Sequence, residues 1–277
     1  LLQPSGGFLL GAGPGALEAL EAEARAFKVP AHRGSGSGLS DLRASEHLRL
    51  PTDGVIDVHG LLGHCARQAR AGGATLRFGV GLSGLSRLEE GYEAHLDDGR
   101  VLQADTLVNA AGAWAGALGR LAGGVDPGLR PLRRSLIWSD LAHPQDLPWA
   151  WWVDRPLYLR PESGGLLLCP CEEVEVPPPS PGHHPDSDPT VLPGLAACLA
   201  ELAPHLEEAP VTRMWAGLRT FAADRRFVIG WDPQAPHLFW VAGLGGHGMT
   251  TGLAVGRLAA DLLKDREAHA LAPSRFA

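Results

Sequence analysis

The residues best suited to chemistry are two glycine-rich turns, a pair of closely spaced thiols and a histidine–aspartate loop. Gly11-x-Gly13-x-x-Ala16 follows the short apolar run Phe8-Leu9-Leu10, and Gly243-x-Gly245-x-x-Gly248 follows "LFWVA"; each precedes an amphipathic stretch. Such turns bring backbone amides and a helix N-terminus up to an anion. A dinucleotide site also needs a carboxylate for the ribose hydroxyls at the end of the next strand, roughly 20 residues on. The first turn meets Arg33 there, on "KVPAHR", which contains Pro30 and no acid. After the second turn no further strand is apparent. Neither fingerprint is complete, and a nicotinamide-dependent enzyme built on Gly11–Ala16 lacks its acid.

The other two groups suggest less. In an alternating strand, Cys169-Pro170-Cys171 would point both thiols to one face, but two thiols alone make no metal site. With Cys65 and Cys198 they read as small core residues in a reducing cytoplasm. His183, His184, Asp186 and Asp188 lie in the proline-rich stretch "EVPPPSPGHHPDSDPT", which reads as a solvated loop. No metal is expected.

The elements that must position these groups follow from periodicity and turn residues. Residues 16–27 read as a helix with Leu17, Leu20, Ala24 and Phe27 on one face. Asp57 caps a second helix from Val58 to about Ala71, with Leu61, Leu62, Cys65 and Ala69 as its buried stripe and Gly72-Gly73 as its stop. "ATLRFGV" (74–80) alternates as a strand. "YEAHL" and "RVLQ" form a hairpin about Asp98-Gly99. "DTLVNAAGAWAGAL" (105–118) reads as a buried strand that ends in Ala110-Ala111-Gly112 and enters a helix. "PLYLRPESGGLLLCP" gives two strands about Ser163-Gly164-Gly165, and "GLAACLAELAPHL" a helix. The last stretch is strand, glycine turn and a helix with Val255, Leu258 and Leu262 inward.

The order α/β, then β-rich, then α/β predicts an α/β (α+β) enzyme of two interleaved domains. A net charge of −7 argues against a nucleic-acid partner. No apolar run reaches the roughly 18 residues of a membrane span. A small-molecule substrate and a cytoplasmic location are expected.

Four segments occur together in a fixed order: "DGVIDVHGLL" (53–62), "ADTLVNAAGAWAGALG" (104–119), "AGLRTFAADRRFVIG" (216–230) and "VAGLGGHGMTTGLAVGRLAADLL" (241–263). This set resembles the D-amino-acid oxidase family of FAD-dependent oxidoreductases, which includes glycine and sarcosine oxidases. The resemblance implies a partial FAD-binding, Rossmann-like domain (51–124 and 216–277) interleaved with a mixed β-sheet substrate domain (1–50 and 125–215). The family carries its FAD fingerprint upstream of the part matching Leu1, so Gly11–Ala16 reads as a decoy at the entry to the substrate domain. On that expectation residues 1–277 expressed alone are colourless. The alternative to an active enzyme is a catalytically silent domain that binds no cofactor, and a flavin spectrum separates the two.

The resemblance also implies roles. Val80 would lie by the adenine of FAD. Ala110, Ala111 and Gly112 would pass close to the cofactor. Gly245, Gly246, His247, Gly248, Met249, Thr250 and Thr251 would line the flavin ring, with the helix end favouring negative charge on it. Arg219 matches an arginine that grips a substrate carboxylate, as a guanidinium fork can; a structural ion pair is the other reading. Tyr158 and Arg160 are further catalytic candidates or plain strand surface, and His247 faces the flavin or braces its loop. The expected reaction is oxidation of a C–N bond in an amine or amino acid, with hydride transfer to flavin N5. Family members often read Arg-Pro and Asp-Gly where this chain has Arg219-Thr220 and Asp224-Arg225, which leaves the substrate open.

Overall fold

A computed structural model describes residues 1–180, 183–265 and 269–277. The chain divides into two compact units. The first comprises Leu1–Leu62, Arg134–Glu173 and Pro185–Gly217; the second comprises Gly63–Arg133, Val174–His184 and Leu218–Ala277.

The first unit is built on a mixed sheet. Gly7–Gly11 runs parallel to Trp149–Trp152 on one side and antiparallel to Glu46–Leu50 on the other, and His32–Ser35 lies beyond. Past Trp149–Trp152 come Leu157–Glu162, Gly165–Cys169 and the end of Arg130–Ser139, all antiparallel. The Leu157–Glu162 and Gly165–Cys169 strands join through Ser163 (φ 51°) and Gly164 (φ 85°). Left-handed conformation at both positions is what a two-residue hairpin turn requires. Alternation buries Leu10, Trp152, Leu157, Leu166 and Ile137 completely. The helix Leu192–Leu202 covers them with Leu195, Leu199 and Leu202, spaced to share one face.

The second unit has its own core. Leu107–Asn109 runs parallel to Leu238–Ala242, which pairs antiparallel with Val228–Trp231. Leu82–Leu88, Gly91–Leu96 and Val101–Ala104 form a separate meander. The helix Gly248–Lys264 lays Val255, Ala259 and Leu262 on Ile229 and Phe239. The short helix Ala115–Leu121 approaches Leu238–Ala242 so closely that a Cβ on Gly119 would stand 2.0 Å from the Trp240 ring.

The expected hairpin about Asp98-Gly99 forms, with Gly99 at φ 83°. Asp57 caps Val58–Ala71 by accepting the Gly60 amide at 2.8 Å. Three expectations fail. The Val58–Ala71 helix buries none of its residues, and Leu62 is 58% exposed. Residues 74–80 form no strand, because none of the described residues offers them a hydrogen-bonding ladder. Phe78 is exposed there beneath the Arg70 guanidinium, 5.5 Å from its ring centroid. The first helix is Glu18–Ala26, and of its expected face only Leu17 is buried, while Phe27 is exposed.

The end of the chain is pinned by charge. Arg275 Nε and Nη2 donate to the two oxygens of Asp224 at 2.7 and 3.1 Å, and the guanidinium also meets the carbonyls of Leu271, Ala272 and Phe227. The Arg275 hydrogen bonds hold the Asp224 carboxyl at about 2. The stabilisation is therefore complete above the ordinary aspartate range and disappears as pH falls from about 4 towards 2. Asp224→Asn is expected to lower the urea midpoint by a constant amount between about pH 5 and 7, and by a shrinking amount below about pH 4. A gap that stays constant down to about pH 2 would show that the pair adds nothing to folding.

Candidate functional site

The second unit brings two turns to one sheet edge. Leu107–Asn109 and Leu238–Ala242 are parallel neighbours, with Asn109 opposite Trp240. The turns that leave them, 110–112 and 243–247, therefore emerge at the same end, where open α/β sheets hold ligands. Gly112 stands at φ 54° with no atom within 4 Å of where a Cβ would be. Ala110 is exposed and Ala111 half-buried, so this turn offers bare backbone. Asn109 fixes it from below. The Asn109 side chain is fully buried, donates to the Ala115 carbonyl at 2.9 Å and accepts the Ala111 amide at 3.4 Å.

Across this edge lies the second turn, with Gly243, Gly245 and Gly246 at φ 68°, 55° and 88°. The Gly245 amide donates to the Thr220 carbonyl at 2.9 Å, tying the turn to the strand Arg213–Phe221 that carries Arg219. A Cβ on Gly246 would stand 2.7 Å from Cδ and Nε of Arg219, and one on Gly245 would stand 2.7 Å from the Phe221 ring. These two glycines thus make room for the chain's own arginine and phenylalanine. Arg225, itself at φ 59°, stacks its guanidinium 4.1 Å from the Phe221 centroid.

The helix Gly248–Lys264 begins directly after the turn. Its N-cap is His247, whose side chain makes no capping hydrogen bond, and its first turn contains no acid. The hydroxyls of Thr250 and Thr251 both turn back to the His247 carbonyl, at 3.0 and 2.7 Å. The first amides of the helix, from Gly248, Met249 and Thr250, are thus left by the side chains to an external acceptor. His247 is exposed, with its ring 6.4 Å from that of Phe227. Bare turns at 110–112 and an uncapped, acid-free helix end fit a flat anionic cofactor that needs close backbone approach.

The other glycine turn is already occupied. Asp154 accepts the Ala12 amide at 3.0 Å and the Gly13 amide at 2.9 Å, and Glu46 accepts the Leu17 amide at 3.1 Å. Burial would raise the Asp154 carboxyl; the two amides outweigh it and hold the group below its ordinary value. Arg33, at the position of the missing ribose acid, binds Glu21 at 2.8 Å and Glu46 at 2.5 Å. The amides a phosphate would use are filled by this chain's own carboxylates.

In the first unit, Tyr158 and Arg160 share one face of Leu157–Glu162, two residues apart. Burial pushes the Tyr158 phenol up to about 12, so it stays a hydrogen-bond donor at neutral pH. Its ring lies 6.3 Å from that of Trp149. Arg160 is ion-paired with Glu162, and both line a cavity of about 590 Å³ with Gln3, Asp57 and His59. Val80, expected on a strand, is half-buried in an irregular segment instead.

Sequence reasoning missed Asn109 and Asp232. A lone amide in the apolar "LVNAAG" run was the available signal for the first. Asp232 is buried, and no periodicity reveals that. Among the described residues no cluster of His, Cys, Asp or Glu could hold a metal ion, and no helix is long and apolar enough to cross a membrane.

The chain is similar to known proteins in sequence and in fold. Residues 2–262 match the family described as DAO: FAD dependent oxidoreductase. The chain is 28% identical over 229 residues to the mitochondrial dimethylglycine dehydrogenase of Mus musculus, an overlap of 76% of this chain and 26% of that protein. It is 27% identical over 231 residues to the glycine oxidase of Geobacillus kaustophilus (strain HTA426), covering 81% of this chain and 58% of that enzyme. The chain thus spans about a quarter of the dimethylglycine dehydrogenases it matches. In fold it is similar to L-proline dehydrogenase from P. horikoshii, with a TM-score of 0.87 at 20% identity over 100% of this chain and 77% of that one. The turns at 110–112 and 243–248 and the strand of Arg219 all lie within the matched residues, and the chain belongs to the DAO family of FAD-dependent oxidoreductases.

Proposed function

We propose that this chain acts in an oxidoreductase that oxidises the C–N bond of a small amine or amino acid, in a cytoplasmic setting. Residues 51–124 and 216–277 are assigned to cofactor binding, and residues 1–50 and 125–215 to the substrate. FAD, when bound, would supply the acceptor for the hydride that leaves the carbon bearing nitrogen. The chain's own part is positioning and electrostatics. The bare backbone of Ala110, Ala111 and Gly112 lets the cofactor approach closely. The first amides of Gly248–Lys264 offer partial positive charge to a ring that gains electrons. Val80 is the weakest of the proposed cofactor contacts, since no strand holds it in place. Tyr158 and Arg160 are assigned to substrate contact, as donors on one strand face.

The observation that carries this reading is Arg219 beside Gly246, in the strand tied to the glycine turn. A guanidinium there can take a carboxylate two-pronged and fix the amine relative to the helix end. In the flavin-loaded enzyme, Arg219→Ala is expected to raise KM for a carboxylate-bearing substrate by about tenfold to a hundredfold, the value of a charge-assisted hydrogen bond. Simple amines should lose little, and Arg219→Lys should recover part of the loss. Equal losses for amines and amino acids would contradict the carboxylate clamp.

A further inference from the structure

The Cys169-Pro170-Cys171 thiols meet, though not by strand alternation. The strand Gly165–Cys169 ends at Cys169, and Cys171 stands at φ 53°. A left-handed backbone is uncommon outside glycine. It curls the chain back, bringing Cys171 Sγ to 4.0 Å from Cys169 Sγ and 3.6 Å from the Cys169 carbonyl oxygen. Two sulfurs at that distance are in van der Waals contact. A bond needs them about 2 Å closer.

The two thiols differ in access. Cys169 is 2% exposed, whereas Cys171 is half-buried and lines a cavity of about 370 Å³. Arg134, Trp151, Asp154, Arg155 and Glu173 share that wall. The Arg134 side chain is only 8% exposed; its Nε is buried with no hydrogen-bond partner, and its Nη2 reaches Glu173 only at 3.5 Å. Arg155 Nη1 donates to the Asp154 carbonyl at 3.1 Å, and its Nε reaches Glu201 at 3.7 Å. Asp154 spends both oxygens on the Ala12 and Gly13 amides. The cavity therefore places two guanidinium groups on the wall that holds an accessible sulfur, that of Arg134 with an unpaired Nε. The thiolate is the reactive form of cysteine.

We propose that Cys169 and Cys171 form a redox-active dithiol that exchanges with a small anionic disulfide seated against Arg134 and Arg155. The Cys171 thiolate attacks one sulfur of the incoming disulfide, breaks its S–S bond and releases one thiolate. The Cys169 sulfur then attacks the Cys171 sulfur in the mixed disulfide and releases the second. Two protein thiols are oxidised to one disulfide, one small disulfide is reduced to two thiols, and the two protein protons end on the released thiolates.

The test treats the full chain with oxidised glutathione and follows intact mass and peptide maps. The wild type is expected to lose two hydrogens from the peptide holding Cys169 and Cys171. Cys169→Ser should instead keep a lasting glutathione adduct on Cys171, and Cys171→Ser should form neither. Arg155→Gln should slow the reaction several-fold with oxidised glutathione, and not with the uncharged 2-hydroxyethyl disulfide. The wild-type measurement stands even if a serine variant fails to fold. The dithiol is overturned if exposed Cys65 is modified while both thiols persist, or if Cys171 carries an adduct that Cys169 never displaces. Equal slowing with both disulfides overturns the anionic seat.

Discussion

Asp232→Ala is expected to destabilise the second unit by about 3–5 kcal/mol, because it removes the shared acceptor of four N–H donors, each of which costs about 1–3 kcal/mol when buried without a partner. The Asp232 carboxylate is 4% exposed. Its Oδ2 accepts the Val125 amide at 2.9 Å and the Trp240 indole N–H at 2.8 Å, and its Oδ1 accepts the Gln234 and Ala235 amides, both at 2.8 Å. Truncation leaves four donors without their acceptor, those of Val125, Ala235 and Trp240 at buried hydrogen bonds. The damage should reach the site, because Trp240 lies opposite Asn109 and against Gly119. Chemical denaturation measures the loss, with exposed Glu89→Ala as a control expected within about 0.5 kcal/mol of wild type. A loss below about 1 kcal/mol would show that water replaces the carboxylate, and that the network is not what fixes this sheet edge.

Gly246→Val should remove both the arginine and the turn. The new Cβ would stand 2.7 Å from Cδ and Nε of Arg219, so the guanidinium must leave. The residue also stands at φ 88°, where a β-branched side chain costs about 1–2 kcal/mol. The expected loss of affinity for a carboxylate substrate is at least that of Arg219→Ala, with reduced flavin content after purification. Gly99→Val is the matched control. Gly99 has φ 83° and no atom within 4 Å of its Cβ position, so it bears similar backbone strain without displacing anything. If the two variants retain equal flavin and equal KM, Gly246 does not hold Arg219 in place.

The contrast between the two glycine turns shows what could be read beforehand. The missing acid near Arg33 already marked Gly11–Ala16 as a poor nucleotide site, and Asp154 and Glu46 on its amides give the physical reason. Asp154 comes from the turn after Trp149–Trp152, more than a hundred residues away, and no local pattern announces it. Hairpins and capped helices were legible because their determinants are local: Asp98-Gly99, Ser163-Gly164, and Asp57 before Val58. The strand expected at 74–80 was not, because alternation gives a strand its faces but not its neighbour. The stripe on Val58–Ala71 failed likewise; an apolar face is buried only where another element meets it. Gly245 and Gly246 were recognised as special, and the structure adds a reason that sequence did not supply. Their missing side chains make room for Phe221 and Arg219.

Amide hydrogen exchange with and without FAD tests the central claim most directly, since exchange reports which backbone groups a ligand covers. The account predicts slowed exchange at Ala110–Gly112 and at Gly248–Thr250, the first amides of the helix, with no change at Ala12 and Gly13, whose amides Asp154 already holds. Protection at Ala12 and Gly13 without protection at 110–112 and 248–250 would contradict it and return the first glycine turn as the nucleotide site.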